Sequence, residues 1–152
     1  MSLEWTPRET GTHQDHVIAH VIGATVLGFY EWDQAIHILL DMGFIWTIYV
    51  DGEMGLLPQP VAISELDIDS ELRAQLRDDV DLLQRDGRDA EALARFTAAP
   101  VDCLIEEVAF EARHDDERRL LIKGEDSNLA IVTSLATGGI QVLAASTKSD
   151  DR

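Results

Sequence analysis

The segment FIWTIYVDGEMGLLP (44–58) alternates in the manner of a half-buried strand, with Phe44, Trp46, Ile48 and Val50 falling on one face. Asp51 and Gly52 then supply turn chemistry, and a second short strand runs to Pro58, so a hairpin is expected here. Just upstream, ATVLGFYEW (24–32) is rich in β-branched and aromatic residues and reads as a buried strand. Between them lies DQAIHILLDMG (33–43), where Asp33 is a good N-cap and Gly43 suits a left-handed C′ position. That pattern predicts a short helix, although AIHILLD would also serve as a strand, because apolar runs this short have no decisive period.

In the middle third the period changes. Ile68, Leu72, Leu76, Val80 and Leu83 repeat every three or four residues and form one apolar stripe that Gly87 terminates, which predicts a long amphipathic helix. Asp69 with Arg73 and Asp81 with Arg85 are spaced four apart in the favourable order for helix-surface pairs. Asp89 is placed to cap a second helix over AEALARFTAA (90–99), ended by Pro100. In the last third, CLIEEVAFEAR (103–113) fits either a helix or a strand with Glu106 out of register. The strand is favoured because RRLLIKG, NLAIVTSLA and IQVLAAS follow as extended segments separated by EDS and TGG, the pattern of an antiparallel meander. The fold class expected is α+β: a mostly antiparallel sheet, made of the hairpin and the C-terminal meander, packed against a central helical pair. A single domain over 13–146 is flanked by polar, flexible segments at 1–12 and 147–152.

Composition narrows the setting. A chain of 152 residues supports one sizeable core. Asp+Glu number 29 against Lys+Arg 12, and the formal net charge of −17 repels phosphate backbones and anionic lipid, so neither nucleic acid nor a membrane surface is an expected partner. Only Lys123 and Lys148 are lysines, and a lysine-poor acidic surface suits a protein whose charge is screened by high salt. The lone cysteine, Cys103, has no internal disulfide partner and fits a reducing cytoplasm. The start, MSLEWTPRETG, lacks the basic and then apolar character of an export signal. Charge is scarce from Val17 to Val50, but Glu31, Asp33, His37 and Asp41 interrupt the run, which marks core and a candidate self-association surface instead of a membrane span.

The densest chemistry is HQDHVIAH (13–20), with three of the five histidines. On a helix, His13, His16 and His20 share a face and His16 and His20 are neighbours able to share a divalent metal; on a strand, His16 and His20 stand roughly 13 Å apart and no single ion bridges them. A box-like Thr12-x-x-Asp15 favours the helix, whereas the Val, Ile, Thr and aromatic content of HVIAHVIGATVLGFY (16–30) favours extended structure, which is the expectation adopted. A complete metal site would recruit His37, Asp33 or Asp41 from the next segment, and no HExxH glutamate accompanies the row. Glu31, Trp32 and Asp33, with Trp46 and Tyr49 nearby in sequence, are candidate ligand-binding residues, since small-molecule sites combine apolar walls with a few polar groups. No phosphate-loop spacing and no nucleophile-elbow motif is present. Two functions therefore remain in view: a non-catalytic binding or protein-interaction module needing no cofactor, and a metal-dependent, hydrolase-like enzyme built on His13, His16, His20, His37 and Asp41.

Overall fold

The computed structural model describes residues 4–146, and two antiparallel sheets organise them. In chain order the elements are β1 (Thr6–Pro7), α1 (Thr12–Val21), β2 (Val26–Trp32), β3 (Ala35–Leu40), β4 (Phe44–Tyr49), β5 (Met54–Pro58), α2 (Gln59–Ser64), α3 (Ser70–Asp86), β6 (Thr97–Ala98), β7 (Ile105–Arg113), β8 (Glu117–Gly124), β9 (Ser127–Ser134) and β10 (Ile140–Ser146). One sheet runs β1-β7-β8-β9-β10 and the other β5-β4-β3-β2-β6. The fold is α+β, as the pattern predicts. The C-terminal meander is the first sheet, and the 44–58 hairpin lies in the second.

The second sheet is covered on both faces. On one, Val26, Ile36, Ile38, Trp46 and Ile48 meet Ile105, Phe110, Leu120, Ile122, Leu129 and Ile131 of the meander. On the other, Leu27, Leu39 and Ile45 pack against Ile63 of α2, Leu76, Val80 and Leu83 of α3, and Phe96. Of the expected central helical pair only α3 forms; the partner predicted over 90–99 does not, and α2 stands beside α3 in its place.

Asp79 explains that second outcome. Its buried carboxylate accepts the backbone N–H groups of Ala94, Arg95 and Phe96 at 2.8, 2.6 and 2.7 Å, holding this stretch in an open loop against α3. A helix over 90–99 would have taken those N–H groups for itself. Ala92 at φ 63° breaks the turn further, and Arg88 donates to the Ala99 and Pro100 carbonyls. On α3 itself, Asp69 is the N-cap, accepting from Leu72 N–H at 2.8 Å. Arg73 reaches back to the Leu66 and Ile68 carbonyls and Arg85 pairs with Asp86, so neither expected four-apart ion pair is made.

The helix expected over 33–43 is also replaced, here by β3. Asp33 and Gln34 both take positive φ, 53° and 60°, between the paired residues Trp32 and Ala35. This is the backbone of a two-residue primed turn, which matches strand twist, and Asp is among the few residues that tolerate it. All six β3 residues are buried because alternate side chains enter the two cores. Gly43 does sit at positive φ, 83°, but in the β3–β4 loop.

Extended structure was expected for the histidine row, and α1 overturns it. Gln14, Val17 and Val21 are buried at helical spacing. Gln14 Oε1 accepts the Gly11 N–H at 2.7 Å while its Nε2 donates to the Gly52 carbonyl at 2.7 Å, so one buried amide caps the helix and ties it to the β4–β5 turn. The β-branched content is a weak propensity that this tertiary contact outweighs. Gly52 is itself constrained: at φ 94° its Cα faces the Phe110 ring with no room for a Cβ.

The bulge between Ile105 and Glu107 accommodates Glu106 at the solvent side of β7 and makes 103–113 a strand after all. Within the N-terminal segment read as flexible, Thr6 and Pro7 pair with β7, and Trp5 lies under the Arg113 and Arg119 guanidinium groups at 4.3 and 4.8 Å from its ring centre. The 147–152 tail lies outside the described residues.

The Asp79 arrangement yields a prediction. Asp79→Ala removes three charge-assisted hydrogen bonds from a buried loop and is expected to destabilise the protein by roughly 3 kcal/mol. Urea unfolding followed by circular dichroism measures this, and a loss below about 1 kcal/mol would show that the loop is held by other contacts.

Candidate functional site

Two concave regions lie where the covering layers of the second sheet run out. The larger is a groove of about 540 Å³ between α1 and the β4–β5 side of the sheet, lined by His13, His16, Val17, His20, Met42, Phe44 and Leu56. Helical spacing brings the three histidines to this groove. The His16 and His20 ring centres are 5.9 Å apart, edge to face, and His13 Nε2 lies 3.0 Å from the Met54 carbonyl oxygen.

The remaining proposed metal ligands are elsewhere. His37 faces the opposite side of the sheet, beside Tyr30 and Thr47. Asp41 accepts the Thr25 N–H at 3.0 Å, fixing the β3–β4 loop. Among the described residues no group of three or more His, Cys, Asp or Glu side chains is arranged to hold a metal ion, so the row offers at most the two-nitrogen clamp of His16 and His20. The expected convergence of His13, His16, His20, His37 and Asp41 is not found, because β3 is a strand and points His37 away from α1.

The second region is a cup of about 200 Å³ on the helix-covered face, lined by Trp32, Asp33, Ala35, His37, Tyr49, Glu65, Leu66 and Asp67. Three of the five residues read as ligand-binding, Trp32, Asp33 and Tyr49, meet here. The other two do not. Trp46 is fully buried between the sheets, its indole N–H directed at Met54 Sδ at 3.4 Å, and Glu31 is exposed, one residue out of phase with Trp32 along β2.

His37 is the group most altered by its surroundings. It is 8 % exposed, its Nδ1 is 2.9 Å from Thr47 Oγ1, and its Nε2 has no hydrogen-bond partner. Burial lowers its pKa to about 4, the nearby Trp32 carbonyl offsetting part of the effect. Cys103 is buried beneath the meander, and burial pushes its thiol up to about 11, which makes it a poor nucleophile.

Sequence reading missed several residues that build these sites. Met42 and Leu56 complete the groove, and Glu65 and Asp67 complete the cup. None belongs to a motif; SELDID (64–69) reads as the run-in to α3, and only the α2–α3 pairing carries its acids across to β3. Comparison with protein-family models, curated proteins and solved structures finds no match to this chain.

The lowered pKa of His37 has a consequence for stability. The unfolded chain binds a proton at His37 near pH 6.5, whereas the folded chain does so only near pH 4, so folding releases that proton in between. This part of the stability is therefore complete above about pH 6.5 and falls as pH drops toward 4, by roughly 3 kcal/mol. Denaturant unfolding of the native chain and of His37→Gln at pH 7 and pH 4 tests it: the native protein should lose about that much more than the variant, and parallel losses would contradict it.

Proposed function

We propose that this protein is a non-catalytic binding module whose principal site is the groove beside α1. The observation that supports the reading most is the make-up of the groove. Val17, Met42, Phe44 and Leu56 give it apolar walls, and three imidazoles along one helix face give it a row of hydrogen-bonding groups. Small-molecule sites combine these features, and the size suits a ligand of two or three rings. No residue lining the groove is a carboxylate, hydroxyl or thiol, so the imidazoles have neither a nucleophile to activate nor an acid to orient them. The ligand class that fits is a flat or elongated apolar molecule with one polar, hydrogen-bond-accepting end placed against His16 and His20. A metal-dependent hydrolase would need further ligands, whereas His37 stacks with Tyr30 on the opposite face of the sheet and the Asp41 carboxylate is engaged by the Thr25 N–H.

Met42 and His16 are exposed, so both can be changed without opening the core. Anilinonaphthalene sulfonate, with an apolar ring system and an acceptor head, is a suitable probe. It should bind the native protein at a single site in the micromolar range, and Met42→Glu and His16→Glu should each weaken that binding at least about tenfold with unchanged melting temperature. Equal binding to both variants, or none to the native protein, would rule the groove out.

A further inference from the structure

The outer edge of the meander carries an observation of a different kind. We propose that β10 is the contact through which two copies of this chain pair, antiparallel and about a two-fold axis at Leu143, so that their two meanders become one continuous sheet.

An open strand edge is a row of unpaired N–H and C=O groups, and proteins blunt such rows with short strands, proline, charge or a covering element. Three of the four outermost strands are blunted in this way. β1 and β6 are two residues long, and β1 ends in Pro7. β5 ends in Pro58, and the His13 ring of α1 meets the Met54 carbonyl of that strand at 3.0 Å. β10 has none of these devices. It pairs with β9 over seven residues without a register shift, and from Ser127 to Thr147 the chain has neither a charged residue nor a proline. Among the described residues no group bonds to its outer edge.

The ladder fixes which groups point outward. The Ser134 N–H donates to the Gly139 carbonyl across the β9–β10 turn, so Gln141, Leu143 and Ala145 direct their peptide groups toward β9, while Ile140, Val142, Ala144 and Ser146 direct theirs to the open side. With the axis at Leu143, Val142 of one copy faces Ala144 of the other and Ile140 faces Ser146, so every outward group of the strand meets a donor or an acceptor. This is the self-complementarity that a two-fold interface requires. Leu143 then opposes its own counterpart as a non-hydrogen-bonded pair, with Cα atoms about 4.5 Å apart.

Side chains and charge favour the same arrangement. Leu143 is 48 % exposed, the highest value among the large apolar side chains described. It ends a row across the outer face of the meander, Ala109, Leu121, Ala130 and Leu143, each directly paired with the next. Charge on this face is held on β7 and β8, where Glu111 pairs with Arg119 and Glu107 with Lys123. Two copies of net charge −17 repel over most of their surface, and the uncharged β9–β10 margin is where they approach against the weakest field.

Sedimentation velocity over about 1 to 200 μM chain tests this in about 0.5 M NaCl, where the net repulsion is screened. The native chain should show a monomer–dimer equilibrium. Ala144→Pro removes an outward N–H without touching the β9 ladder, and Leu143→Lys sets like charges opposite each other across the axis. Each should raise the dissociation constant at least about tenfold, while Leu57→Lys on the β5 edge leaves it unchanged. Ala144 and Leu143 are exposed, so these variants keep the fold, which circular dichroism verifies. Mild oxidation reads the register: Leu143→Cys should give a disulfide-linked dimer, whereas Gln141→Cys, about 13 Å from its counterpart, should not. Cys103 is buried and takes no part. A chain that stays monomeric at the highest concentration overturns the proposal, as does a dimer that survives Ala144→Pro. Equal linkage through Gln141→Cys also overturns it, by placing the axis elsewhere.

Discussion

Burial of β3 on both faces is the constraint from which the rest of the structure follows. Ile36, Ile38 and Leu40 enter the core between the sheets, Leu39 enters the core beneath α3, and each is at most 2 % exposed. At roughly 2 kcal/mol for each such side chain, these four alone contribute on the order of 8 kcal/mol of hydrophobic stabilisation. A strand apolar on both sides cannot stand at a surface, so it requires a cover on each. The meander β7–β10 supplies one cover. The α2–α3 pair and the loop clamped by Asp79 supply the other.

Neither cover reaches all the way across, and the concave regions are found at the margins. Beside β5 the gap is closed by α1, tethered through Gln14 to the Gly52 carbonyl, and the groove with its histidine row lies along that join. At the turn end of β2 and β3 the helical cover stops at the α2–α3 connection, which leaves Trp32 and Tyr49 part-exposed above His37. The same sheet thus separates the two regions chemically. His37 cannot join the α1 histidines because strand geometry sends alternate residues to opposite faces. Two concave regions of different character, one apolar with imidazoles and one aromatic with acids, are what this separation produces.

The legible parts of the sequence were those in which local pattern and tertiary environment agree. The 44–58 hairpin, α3 with its stop at Gly87, and the meander carry periods that no neighbour contradicts. The misread parts depend on partners distant in sequence. AIHILL is uniformly apolar and has no period to read, and only its place between two cores makes it a strand. Residues 13–21 have a strand-like composition, but a glutamine bonded to a carbonyl 38 positions away makes them a helix. Residues 90–99 have helix-forming composition, and a carboxylate from α3 unwinds them. The same reason limited the sites: Trp32, Asp33 and Tyr49 were within reach of a local reading, whereas Glu65, Asp67, Met42 and Leu56 arrive through packing alone.

Native-state hydrogen exchange, residue by residue, tests the dependence on β3 most directly. The account predicts that the amides of Ile36 to Leu40 exchange only through global unfolding, with free energies equal to that from denaturant titration, while those of α1 and of residues 65–67 exchange through smaller local openings. Exchange of the β3 amides at a lower free energy than those of β8 and β9 would contradict it, placing the stable centre of the molecule in the meander instead.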